Sequence, residues 1–160
     1  MANIIITGAS SGIGFETVLD LTANKDNNVI ALARSADKLR RLHEIASDLN
    51  FDGGKLYPAQ FDIVHDNYPD SLVPFIKSKF DKVDILINNA GALINKPFLE
   101  STYEDFANML QTNVLGHVNM IKHIVPLMSE GGHIVNIGSM GGYQGSSKFS
   151  GLSAYSASKG

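Results

Sequence analysis

Two short patterns in this 160-residue chain carry residue types that proton and phosphate chemistry require. The first is Tyr155-Ser156-Ala157-Ser158-Lys159. Tyr and Lys at i, i+4 share one helix face. A free phenol titrates near pH 10, too high for useful proton exchange at neutral pH. Lowering that value by about three units takes roughly 4 kcal/mol. One ammonium about 4 Å away supplies roughly that much at an effective dielectric near 20. The spacing therefore suits Tyr155 to give a proton to a carbonyl oxygen or take one from an alcohol, with Lys159 beside it. Taken alone, the same spacing also describes an ordinary surface pair.

The second pattern is Thr7-Gly8-Ala9-Ser10-Ser11-Gly12-Ile13-Gly14. Gly8 permits a tight turn, Gly12 lets the backbone approach a pyrophosphate, and Gly14 allows close helix-on-strand packing. Ser10, Ser11 and Ile13 fall within the same candidate anion site, where a helix N-terminus offers free N–H groups and partial positive charge. A Walker loop would need Gly-Lys-Ser/Thr, and no lysine is present here. A plain strand-to-helix turn has the same glycines. In NAD-binding folds an acid about 20 residues further on accepts the ribose hydroxyls. Here that position is Arg34, whose guanidinium can hold a 2′-phosphate through paired hydrogen bonds. The expected cofactor is NADP(H) rather than NAD(H), unless Arg34 is simply a solvated arginine.

Three further groups stand near the ends of apolar runs. Ser139 closes Ile137-Gly138-Ser139, where its hydroxyl can fix a substrate oxygen beside Tyr155. Asn113 sits inside a helical stretch, where Asn is not a preferred residue, with Gly116 a turn later. A kink binding water or a polar group is one reading, and an Asn facing solvent the other. Asn88-Asn89-Ala90-Gly91 follows another apolar run, and Gly91 permits backbone approach to a cofactor or marks an ordinary turn.

The elements that must position these residues alternate along the chain. Apolar, β-branched runs at Asn3–Thr7, Asn28–Ala33, Lys55–Ala59, Val83–Asn88 and His133–Gly138 lack a clean polar alternation, as strands buried on both faces do. Helical periodicity fills Ile13–Asn24 and Asp37–Leu49. It is weaker over Asn67–Phe80, where Pro69 and Pro74 interrupt. Thr102–Met128 reads as one long helix, with Ser101-x-x-Glu104 as its capping box. This predicts an α/β fold, a Rossmann-type doubly wound parallel sheet with right-handed crossovers, formed by residues 1–160 as a single domain. Ligands of such a sheet lie outside the carboxyl ends of its strands.

Composition narrows the function classes. Apolar residues make up 44%, charged residues 18%, and the net charge is −3, which gives no electrostatic case for nucleic acid or an acidic membrane. There is no cysteine for a thiol nucleophile or a Cys-ligated metal. His117 and His123, six apart, do not match a zinc pair, so no metal site is expected. No apolar run approaches the roughly 20 residues of a membrane span. Met1-Ala2-Asn3 leads directly into Ile4-Ile5-Ile6, so no signal peptide is expected and the cytoplasm is the expected compartment.

Together these motifs resemble the short-chain dehydrogenase/reductase family. The resemblance rests on the glycine loop, Asn88-Asn89-Ala90-Gly91, Asn113, Ser139 and Tyr155-x-x-x-Lys159, all in family order. It implies strand order 3-2-1-4-5, with two further strands beyond the residues given, so the chain is expected to be the N-terminal part of a longer one. It implies Tyr155 as acid/base, Lys159 as modulator of that tyrosine and holder of the nicotinamide ribose, Ser139 as carbonyl anchor, and Asn113 as holder of a relay water. Asp62-Ile63 resembles the adenine-contacting pair, and Asn89, Ala90 and Gly91 the turn lining the cofactor. The implied partners are a small carbonyl or alcohol substrate and further copies of the chain, as homodimer or homotetramer. Two departures stand out. Ser11 occupies a position that is basic in some NADP-preferring relatives. Ser139 and Tyr155 are 16 apart, the surplus falling in Gly141–Gly151, which with Ala92–Phe98 is expected to line the substrate side. Two rival readings are a non-catalytic NADP(H) sensor or inactive truncated family member, and an epimerase or dehydratase, the latter disfavoured by the glycine spacing.

Overall fold

β1 (Ala2–Thr7) places Ile5 on one face of the sheet and Ile4 and Ile6 on the other, and all three are buried. The computed structural model describes residues 1–50 and 52–160. Ile5 packs with Ile30, Leu32, Leu86, Ile76, Met120 and Ile124. Ile4 and Ile6 pack with Val29, Ala31, Val18, Leu39 and Leu42. Two cores on one sheet explain why the strands read as continuous apolar runs. Each fully buried Ile or Leu contributes about 1.5–3 kcal/mol.

β2 (Asn27–Ala33), β3 (Lys55–Gln60), β4 (Val83–Asn88) and β5 (Met128–Asn136) join β1 in one sheet, ordered β3-β2-β1-β4-β5, with every pairing parallel. α1 (Gly12–Ala23) and α2 (Ala36–Leu49) cover the Ile4/Ile6 face. α3 (Val73–Lys79) and α5 (Gly116–Ile124) cover the other. The expected doubly wound α/β sheet and its strand order are therefore present.

Boundaries differ where irregular backbone intervenes. β5 starts at Met128, not His133, because the ladder to β4 slips: Val83 faces Met128 while Ile85 faces His133. Gly131, at φ 77°, sits inside the slip. At its other end β5 stops at Asn136, although the Ile137 N–H still reaches the Asn88 carbonyl at 2.9 Å. Ser139 thus lies in the loop beyond the strand rather than on its last residue. The stretch read as a single helix over 102–128 is divided. α4 (Tyr103–Leu110) passes into a π-helical turn at Gln111–Leu115, then α5, then a 3₁₀ turn at Val125–Leu127 that carries Pro126. Proline lacks the donor an α-helix would need there. The capping box is Thr102 with Asp105, not Ser101 with Glu104. The Thr102 side chain accepts the Asp105 N–H at 3.2 Å, and Asp105 accepts the Thr102 N–H at 2.8 Å. Tyr68–Leu72 is a π-helical segment ahead of α3, so Pro69 and Pro74 each stand in the first turn of their own segment. α6 (Ser153–Lys159) closes the described chain.

Candidate active site

The carboxyl ends of β1, β2 and β4 open onto a cleft of about 780 Å³. Its floor is the glycine loop. Gly8 and Gly12 have φ of 67° and 55°, the left-handed region where a side chain is strained. A Cβ on Gly8 would lie 2.7 Å from the Ala90 Cα, and one on Gly14 would collide with the Gly8 carbonyl and the Asn89 amide. The loop is therefore fitted against the turn after β4, and Thr7 latches the two together. Its buried hydroxyl accepts the N–H groups of Asn89 at 3.0 Å and Ala90 at 2.9 Å. Asn89 answers by donating its Nδ2 to the carbonyls of Thr7 and Gly8, at 3.0 and 3.1 Å. Ser11 stands at the N-cap of α1 but makes no side-chain cap bond, which leaves its hydroxyl free for a ligand.

Of the residues singled out by sequence, Gly8, Ser10, Ser11, Ile13, Arg34, Asp62, Ile63, Asn89, Ala90, Gly91, Tyr155 and Lys159 line this cleft. Gly12, Gly14, Asn113 and Ser139 lie off its wall. Arg34 follows β2, and its carbonyl accepts from Gln60 Nε2 at 2.9 Å. Lys38, one helical turn later in α2, lines the same end of the cleft. Ser35 caps that helix by accepting the Lys38 N–H at 3.4 Å, which fixes how the helix start meets Arg34.

Beyond the end of β3, Asp62 accepts the Val64 N–H at 2.8 Å, and its own N–H donates to Asp66 at 2.7 Å. Tyr68 donates its hydroxyl to the Ile63 carbonyl at 2.7 Å. Burial, with Asp62 and Asp66 close by, pushes the Tyr68 phenol far up, so it stays protonated and keeps donating. Tyr68 also packs edge-on against Phe61 and stacks on His123 at 4.6 Å.

At the other end, α6 carries Tyr155 and Lys159. Lys159 Nζ donates to the Ile137 carbonyl at 2.9 Å. A Cβ on Gly91 would stand 3.3 Å from Asn113 Oδ1 and 3.7 Å from Lys159 Nζ, so the turn at Gly91 runs between these groups. A Cβ on Gly141 would stand 3.3 Å from Tyr155 Cε1 and 3.4 Å from Ser139 Oγ, so the serine hydroxyl and the tyrosine ring face one spot. Ser139 Oγ also accepts the Gly141 N–H at 3.1 Å. Asn113 lies in the π-helical turn and is buried. Its Nδ2 donates to the Ala92 carbonyl at 3.0 Å and to Ser158 Oγ at 2.8 Å, while Oδ1 accepts the Ala92 N–H at 2.8 Å. Ser158 donates onward to the Tyr155 carbonyl at 2.7 Å. Both amide donors of Asn113 are therefore committed.

The loops at 92–98 and 141–151 are tied to one another. The Lys96 N–H donates to the Gly151 carbonyl at 2.8 Å, and Lys96 Nζ pairs with Asp105 at 2.7 Å. The Lys96 ammonium and the Thr102 N–H hold the Asp105 carboxyl down to about 2. Lys148 Nζ gathers the carbonyls of Gly141 and Tyr143 and the hydroxyl of Ser146, at 3.0, 2.7 and 2.9 Å. Among the described residues no group of three His, Cys, Asp or Glu is placed to hold a metal ion, and no helix is long and apolar enough to cross a membrane.

The short chain dehydrogenase family model matches residues 2–160, and the chain belongs to that family of oxidoreductases. It is 34% identical over 159 residues to the NADP-dependent 3-hydroxy acid dehydrogenase YdfG of Shigella flexneri, covering 98% of this chain and 60% of that protein. It is 35% identical over 159 residues to a fatty acyl-CoA reductase of Acinetobacter baylyi, covering 97% of this chain and 52% of that protein. A short chain dehydrogenase of Shigella flexneri solved in complex with NADP superposes with a TM-score of 0.84 at 27% identity, covering 99% of this chain and 66% of that one. The chain spans 60% or less of the length of these two relatives.

Proposed function

We propose that the protein is an NADP(H)-dependent oxidoreductase interconverting a small carbonyl compound and a secondary alcohol. The observation that carries this reading is the arrangement of one cleft: Arg34 and Lys38 line it after β2, Tyr155 and Lys159 line it on α6, and the glycine loop lies between. Its volume, its cationic end and a loop with two left-handed glycines fit a dinucleotide carrying a 2′-phosphate. The YdfG relative is named NADP-dependent, and the superposed Shigella structure holds NADP, which supports the same choice.

NADPH, when bound, supplies the hydride. The chain's own residues do the rest. Gly8, Ser10, Ser11, Gly12, Ile13 and Gly14 receive the pyrophosphate, and Asp62 and Ile63 the adenine. Asn89, Ala90 and Gly91 form the turn against which the dinucleotide rests. Ser139 orients the carbonyl oxygen, and Tyr155 delivers a proton to it or removes one from the alcohol. Lys159 holds the ribose beside the tyrosine, and Asn113 keeps the two active-site segments in register. Residues 1–160 act as one nucleotide-binding domain of a cytoplasmic enzyme. Assembly into a homodimer or homotetramer belongs to this reading, supported by the exposed apolar residues Tyr103, Leu110, Val114, Val118 and Val125 along α4, the π turn, α5 and the 3₁₀ turn.

The test is loss of NADPH absorbance with a panel of ketones and aldehydes, the intact protein beside Tyr155→Phe. Turnover that disappears in the variant while NADPH still binds supports the reading. Binding without turnover in both proteins means a cofactor sensor instead.

A further inference from the structure

His117 is 8% exposed on the first turn of α5, and its Nε2 lies 2.6 Å from the Ala90 carbonyl. A carbonyl only accepts, so Nε2 carries the proton at that contact. Burial, aided weakly by the charge of Lys159 and opposed by the hydrogen bond to Ala90, holds the imidazole below its ordinary pKa. Among the described residues no other group donates to the Ala90 carbonyl.

The peptide that His117 grips is not an ordinary one. The Ala90 N–H is held by Thr7, and its Cα stands against Gly8. Ala90 is thus clasped between the glycine loop and α5, and among the described residues His117 makes the one side-chain hydrogen bond to its carbonyl. The neighbouring Gly116 belongs to the same clasp. A Cβ there would sit 2.7 Å from Ile63 Cδ1, so this helix start also abuts the adenine-side loop.

We propose that His117 is a positioning residue for the dinucleotide, setting the height of the Asn89–Gly91 turn by donating Nε2–H to the Ala90 carbonyl. This rests on the NADP(H) reading above. A side chain that merely filled space would be replaced by leucine without effect on the cofactor. A positioning donor is replaced only by a residue that returns an N–H to the same point, as glutamine does.

Two measurements test it on the intact protein. In the first, ¹⁵N NMR of the wild-type imidazoles with NADPH bound reads which nitrogen of His117 is protonated. A proton on Nε2 supports the proposal and one on Nδ1 overturns it, whether or not any variant folds. In the second, NADPH fluorescence titrations compare wild type, His117→Leu and His117→Gln. The expected result is binding about tenfold weaker in His117→Leu and restored to within about threefold in His117→Gln. Wild-type affinity in His117→Leu, or equal weakening in both variants, overturns the proposal. Absence of NADPH binding by the wild type is a separate result, which removes the functional reading and this inference with it.

Discussion

Asn113 pairs with Ala92 much as a neighbouring strand would, accepting its N–H at 2.8 Å and donating to its carbonyl at 3.0 Å. The third bond, to Ser158, links that pair to the helix bearing Tyr155 and Lys159. One buried amide therefore joins the turn after β4, the π turn and α6. Replacing it by alanine removes three hydrogen bonds and leaves buried partners unpaired. Asn113→Ala is expected to lower unfolding free energy by about 2–4 kcal/mol, measured by denaturant titration. Asn113→Asp, which keeps the acceptor but sets a buried carboxylate oxygen against the Ala92 carbonyl, should be at least as destabilising.

The cationic end of the cleft makes a separable prediction. Charge-assisted hydrogen bonds contribute about 1.5–3 kcal/mol each. Arg34→Ala should weaken NADPH by about ten- to a hundredfold while leaving NADH nearly unchanged, with Lys38→Ala acting in the same direction less strongly. Equal loss for both cofactors in paired titrations would remove the 2′-phosphate assignment.

At the other end, Tyr155→Phe keeps the ring against Gly141 and deletes only the hydroxyl. Proton transfer by a placed side chain is worth about 10²–10⁴-fold. Turnover should fall by that much with NADPH affinity within a few-fold of wild type, read by steady-state rates and fluorescence together.

Acid should loosen the fold through two groups whose charges act differently. Asp105 titrates near 2 in the fold against an ordinary 3.8. Its ion pair with Lys96 therefore contributes above about pH 4 and is lost as pH falls toward 2. The melting-temperature gap between wild type and Asp105→Asn should close over that interval. His117 has a folded pKa below 6.5. Its neutral form favours the fold above that pH, and the contribution is lost as pH falls through the folded value. Melting temperature should decline with acidity below pH 6.5 more steeply in wild type than in His117→Gln.

Much of this was legible in residue types and spacing. Ile4-Ile5-Ile6 announced a strand covered on both faces, and Tyr155 with Lys159 announced a shared helix face. The glycines at 8, 12 and 14 marked the loop that faces the cleft. What escaped the sequence depended on contacts distant along the chain. Ser101 with Glu104 fits the usual capping pattern as well as Thr102 with Asp105 does, and Lys96, nine residues before Asp105, is the ion-pair partner of the carboxylate in the box that forms. The ladder with β4 resumes on both sides of Gly131 and Gly132, a slip set by pairing distant along the chain. His117 invited comparison with metal ligands because its true partner, a backbone carbonyl, carries no signature in sequence. Lys38 comes to the cleft through the docking of α2 beside β2.

Thr7 and Asn89 make the glycine loop and the post-β4 turn a single mechanical part. Anyone seeking to retarget this scaffold by transplanting residues 8–14 from another member of the family would have to carry positions 7, 89 and 90 with them. Imported alone, the new segment would arrive without its latch, and the first casualty would be the shape of the cleft floor rather than the melting point of the sheet beneath it.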